Sequence, residues 1–170
     1  EALQDSGHQA WKRLSAVMRE FKPDVVGITS FSVKIRSALR IAALAKDYSS
    51  RIPVILGGQH ATIMTDEVLS DPNVDFVVRG EGEETLTELL REIEGKQQWA
   101  GVTGLSWRNG GQPVHNQNRL LNPNLDDLAL PSRESLYDVE SYSSNALGKL
   151  FATRGCPYRC NYCGTQNIWT

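Results

Sequence analysis

The chain has 170 residues, a formal net charge of −2 and 40% hydrophobic residues, enough to bury one good core with an appendage. This balance excludes the basic surface of a nucleic-acid binder. Apolar runs of only four or five residues exclude a membrane-spanning helix, and without a charged-then-apolar leader the expected location is the cytoplasm.

Residues from Ser6 to Phe21 predict an amphipathic helix, with Ala10, Trp11, Leu14, Val17, Met18 and Phe21 on one face. Asp5 or Ser6 can cap it and Pro23 stops it. Residues 24–29 then read as a continuous apolar strand of the kind parallel sheets bury on both faces. After Ser30-Phe31-Ser32 comes a helix from about Val33 to Tyr48, with Ile35, Leu39, Ala42 and Ala45 inward. A second strand over 52–57 runs into the loop Gly57-Gly58-Gln59-His60-Ala61-Thr62, then a short helix near Met64 to Ser70. The third strand covers 75–79 and is followed by Gly80-Glu81-Gly82-Glu83 and a helix to about Glu94, with Leu86, Leu89, Leu90 and Ile93 inward.

Three strand–helix alternations predict a doubly wound α/β unit with the strands parallel and adjacent. Such sheets bind ligands beyond the carboxyl ends of their strands, here Thr29-Ser30-Phe31-Ser32, the Gly57–Thr62 loop and Gly80–Glu83. Paired glycines let the backbone approach a ligand closely, although they also occur in ordinary turns. Neither a P-loop nor a true G-x-G-x-x-G is present, and the glutamates of Gly80-Glu81-Gly82-Glu83 would repel a pyrophosphate. After Gly101, residues 103–108 and 112–116 alternate about Asn109-Gly110-Gly111 and predict a hairpin. Residues 122–135 read as a linker packed by Leu125, Leu128 and Leu130.

All three cysteines fall in Gly155-Cys156-Pro157-Tyr158-Arg159-Cys160-Asn161-Tyr162-Cys163-Gly164, spaced C-x3-C-x2-C. Three thiolates so close can converge on one soft metal. Three ligands on a four-iron cluster would leave one iron open to substrate or cofactor. A zinc site completed by a distant histidine, or free thiols with Cys160 and Cys163 able to pair, are the alternatives.

This motif, with Tyr162 before the last cysteine, resembles that of the radical S-adenosylmethionine superfamily. The resemblance implies a 4Fe-4S cluster on Cys156, Cys160 and Cys163, S-adenosylmethionine chelated at the open iron, and the Tyr162 backbone near the adenine. Residues 149–155 look like the first strand of that superfamily's barrel. The order of the earlier loops is similar to the cobalamin-binding domain that precedes the barrel in one large subfamily. That likeness implies a flavodoxin- or Rossmann-like domain over 1–100, hairpin and linker over 101–145, and the start of the radical domain over 146–170. It implies cobalamin contacts at Thr29, Ser30, Phe31, Ser32, Gly57, Gly58, Gln59, His60, Gly80, Glu81 and Gly82.

The D-x-H-x-x-G pattern that can carry a cobalt-ligating histidine is missing, and His60 suits tail contact or a helix start better than cobalt ligation. The whole enzyme is expected to be longer. By resemblance it would methylate an unactivated carbon or phosphorus of a small molecule, or cyclise one, drawing electrons from a flavodoxin or ferredoxin. This stretch alone is expected to be inactive, and to self-associate through an exposed strand edge. The rival reading is a non-catalytic flavodoxin-like binding or regulatory module with zinc or free thiols.

Overall fold

The computed structural model describes residues 7–147 and 153–168. Helix α1 (Gln9–Phe21) precedes strand β1 (Val26–Thr29), and a short 3-10 turn at Ser32–Lys34 leads into α2 (Ile35–Tyr48). Strand β2 (Val54–Gly57), the short helices α3 (Gln59–Ile63) and α4 (Thr65–Ser70), strand β3 (Phe76–Val78) and α5 (Glu83–Glu94) follow. Strands β4 (Leu105–Asn109) and β5 (Gln112–His115) form the hairpin, and α6 (Ser144–Leu147) comes late. The strands lie in sequence order in one sheet. β1, β2 and β3 are parallel, with Val26 opposite Val54 and Ile55 opposite Phe76.

The central strands are apolar on both faces because both faces are covered. Val54, Leu56 and Val77 join Met18, Ala38, Ala42 and Ala45 from α1 and α2 in one core. Ile55, Phe76 and Val78 point the other way and pack with Leu89 of α5, Val102 and Leu105. Burying one such Leu or Val contributes about 1.5–3 kcal/mol.

The structure departs from the sequence reading in several places. The hairpin extends the sheet, a pairing the sequence reading left unassigned: β4 pairs antiparallel with β3, Val78 opposite Leu105, because β3 would otherwise leave its backbone unpaired beside an apolar strand. The expected turn forms, with Gly110 at φ 58° and Gly111 at φ 84°, conformations that cost glycine little. Helix α1 starts later than expected and is capped by His8, whose Nδ1 accepts from the Ala10 N–H at 3.2 Å; Asp5 and Ser6 lie outside the described residues. Its inward face is narrower, with Phe21 72% exposed and Ala10 also exposed. Leu86 and Leu90 sit at the surface, and a buried Thr85 takes the inward place. Leu130 is exposed, so Leu125 and Leu128 alone of the three are partly covered. Residues 149–152 of the expected barrel strand lie outside the described residues, and 153–155 form no strand.

Candidate functional site

The loops beyond β1, β2 and β3 interlock. The Ser30 N–H donates to the Gly57 carbonyl at 3.0 Å, and the His60 N–H donates to the Ser30 carbonyl at 3.2 Å. Gly58 holds the junction at φ +90°, and a Cβ there would lie 2.6 Å from Thr29 Oγ1 and 2.9 Å from the Ser30 carbonyl oxygen. Only glycine meets both demands. This turn starts α3 directly after Gly58, where the sequence suggested a loop through Thr62. His60 is therefore a buried first-turn residue, its Nδ1 sharing a 3.0 Å hydrogen bond with Ser32 Oγ.

The third loop joins through Thr62, which the sequence reading did not single out. Its hydroxyl donates to the Gly58 carbonyl at 2.9 Å and accepts from the Gly80 N–H at 3.0 Å. Gly80 itself has φ +69°. Of the expected contact residues, Thr29, Ser30, Ser32, Gly57, Gly58, His60 and Gly80 are thus brought into one rim. Phe31 and Gln59 are exposed beside it. Glu81 is engaged elsewhere: its Oε1 accepts from Arg154 at 3.0 Å and its Oε2 from the Asn122 N–H at 2.8 Å.

Among the described residues, Ser30 Oγ, His60 Nε2 and Arg79 Nε are buried side-chain atoms without a hydrogen-bond partner. His60 Nε2 is 3.9 Å from a carboxylate oxygen of Glu67. Burying a polar atom unpaired costs roughly 1–3 kcal/mol, so two such atoms on the rim fit a site that a polar ligand completes. Burial lowers the Arg79 pKa, and this side chain reaches Asn118 and the Asn116 carbonyl, holding the hairpin's exit to β3.

A cleft of about 520 Å³ opens beside the rim, between α3–α4 and the hairpin exit, lined by Thr62, Arg79, Gly80, His115, Asn118 and Ile168 among others. Ser106, His115 and Asp66 lie in series there: Ser106 Oγ shares a 2.9 Å hydrogen bond with His115 Nδ1, and His115 Nε2 lies 3.0 Å from an Asp66 carboxylate oxygen. The Ser106 hydroxyl, unlike that of Ser30, is already paired with His115 Nδ1, so the trio fastens β5 to α4.

The cysteine segment docks on the same edge. Ile168 is buried, and Gly164 lies against Ile63, whose Cδ1 would be 2.9 Å from a Cβ at that position. Cys156, Cys160 and Cys163 are free and exposed, and Tyr162 is 94% exposed. The Cys163 N–H donates to the Cys160 carbonyl at 3.0 Å, a tight turn that puts both thiols on one short loop. Hydrogen bonding with the Thr165 side chain and backbone lowers the Cys163 pKa, which favours the thiolate that binds metals. No three His, Cys, Asp or Glu side chains among the described residues form a ready metal-binding group. The donors are right for a soft metal, but they are not gathered.

The family described as "B12 binding domain" matches residues 4–90, just over half the chain. An uncharacterized methyltransferase of Pyrococcus horikoshii is 31% identical over 156 residues, covering 90% of this chain and 34% of that protein. The anaerobic magnesium-protoporphyrin IX monomethyl ester cyclase of Cereibacter sphaeroides is 29% identical over 167 residues, covering 93% of this chain and 27% of that protein. The chain therefore spans about a third or less of the length of these relatives. A solved radical S-adenosylmethionine methyltransferase, TsrM from Kitasatospora setae with cobalamin and a [4Fe-4S] cluster bound, superposes with a TM-score of 0.58. At 21% identity over 69% of this chain and 22% of that one, it shares the fold.

Proposed function

Since the chain belongs to the B12 binding domain family, we propose that it carries the cobalamin site and cluster loop of a radical S-adenosylmethionine methyltransferase. The observation that carries this reading is the interlocked rim with Ser30 Oγ and His60 Nε2 unpaired, beside a docked C-x3-C-x2-C loop. Ser30, Ser32, Gly57, Gly58 and His60 would border the cobalamin tail, and Cys156, Cys160 and Cys163 would ligate a 4Fe-4S cluster that S-adenosylmethionine completes. Bound there, these groups would supply a methyl carrier and a source of one-electron chemistry.

The chain's own residues bind and orient. Gly58 lets the β2 loop lie against Ser30, Thr62 ties the β2 and β3 loops together, and the cysteine segment rests on α3 where Gly164 meets Ile63. The substrate would be a small molecule and the electron donor a flavodoxin- or ferredoxin-like protein, in the cytoplasm. Among the described residues no helix is long and apolar enough to cross a membrane. A non-catalytic module is disfavoured by relatives whose names are those of a methyltransferase and a cyclase. β1 pairs on one side with β2 and ends the described sheet, which favours self-association along that edge, readable by light scattering.

The test is anaerobic iron–sulfur reconstitution with a cobalamin titration. The expected result is iron and sulfide bound in a form lost in Cys156→Ser, Cys160→Ser and Cys163→Ser, with saturable cobalamin binding. Stoichiometric zinc, no iron and no cobalamin binding would refute the reading.

A further inference from the structure

Charge joins the loop after β3 to the residue two positions before the first cysteine. Arg154 Nη1 donates to Glu81 at 3.0 Å and its Nη2 donates to Glu83. The Glu81 side chain is only 8% exposed, and its second oxygen accepts from the Asn122 N–H. One carboxylate thus fastens three segments: the β3 loop, the chain leaving the hairpin and the approach to Cys156. A carboxylate so deeply covered is costly unless both oxygens are satisfied. A planar guanidinium can span two acids at once, which a lysine ammonium cannot match in geometry.

Each acid in the clamp sits close to the rim. Gly80, adjacent to Glu81, donates to Thr62, which in turn donates to the Gly58 carbonyl. At the far end of the cysteine segment, Ile168 is buried and Gly164 meets Ile63. The segment from 153 to 168 is held at both ends, with its thiols exposed between.

We propose that Arg154 is a positioning residue: bridging Glu81 and Glu83, it sets the separation and orientation of the cysteine loop relative to the rim beyond β1–β3. What the loop and rim hold rests on the proposed function; the clamp itself does not. Glu81 then serves the geometry between two sites rather than a ligand of either.

Two measurements on the full chain separate these ideas. The first is hydrogen exchange of a peptide spanning 153–168, with and without iron and cobalamin. Arg154→Gln and Glu83→Gln should accelerate it, by about tenfold for Arg154→Gln, a change equivalent to about 1.4 kcal/mol. Arg154→Lys should recover part of the protection, and sheet peptides should be unaffected. The second is the distance distribution between reduced cluster and cob(II)alamin by pulsed electron paramagnetic resonance. It should be narrow in the unaltered protein, broad in Arg154→Gln and intermediate in Arg154→Lys. Unchanged exchange in Arg154→Gln overturns the clamp, and so does faster exchange with an unchanged distance distribution. If the unaltered protein binds neither cofactor, the functional reading fails, while the exchange arm still decides whether Arg154 holds the segment.

Discussion

The rim beyond β1–β3 and the cysteine loop are neighbours built on opposite terms. In the rim, the Ser30 and His60 amides are spoken for, Gly58 admits no side chain, and Thr62 bridges two loops. In the cysteine loop the three thiols face solvent, and the firm points are Arg154 at one end and Ile168 at the other. The contrast teaches where order comes from. A rim made by backbone packing has its geometry set before its ligand arrives, whereas a loop of metal ligands gains its final geometry from the metal.

Substitutions should expose this difference, beginning with the most damaging. Gly58→Val combines φ +90° with a Cβ 2.6 Å from Thr29 Oγ1, and should cost on the order of 3 kcal/mol. Chemical denaturation would show it, and cobalamin affinity should fall with it; a midpoint equal to the unaltered protein's would mean that the rim is not rigid. Thr62→Val leaves the Gly80 N–H and the Gly58 carbonyl without their shared hydroxyl, a loss of about 1–2 kcal/mol in the same assay.

The acid side of the clamp should have a smaller, pH-dependent effect. Burial raises the Glu83 carboxyl, but the hydrogen bond from Arg154, backbone hydrogen bonds and the Arg154 charge outweigh it and leave the pKa below its ordinary value. A depressed folded pKa means that the contribution is complete above the ordinary carboxylate pKa and fades as pH falls through the lower folded value. With Glu83 44% exposed, solvent screening keeps it below about 1 kcal/mol. Stability of Glu83→Gln and unaltered protein should therefore converge in acid, and a constant gap across pH would contradict the assignment. Cys160→Ser stands at the low end: an exposed thiol contributes nothing measurable to folding, so the denaturation midpoint should stay fixed while iron binding is lost.

The sheet was legible because its signal is local. Apolar runs at 52–57 and 75–79 could be read as buried strands, and Asn109-Gly110-Gly111 as a hairpin turn, without knowing their neighbours. What the chain could not reveal was long-range. The pairing of β4 with β3 depends on register, and Thr62 acts only because Gly80, eighteen residues on, arrives beside it. Arg154 likewise meets acids more than seventy positions away. The exposure of Leu86 and Leu90 shows a helix pattern overestimating its inward face when Thr85 takes that place with a hydroxyl donating to the Thr103 carbonyl. For the site, the glycines and cysteines were readable as residue types; the interlocking of the loops was not.

The most direct test is anomalous diffraction from crystals of the anaerobically loaded protein, recorded at the cobalt and iron edges. The expected maps place cobalt beside the ends of β1–β3, next to Ser30, Gly58 and His60, and iron among Cys156, Cys160 and Cys163. Cobalt bound away from that rim, or iron held by other residues, would contradict the central claim.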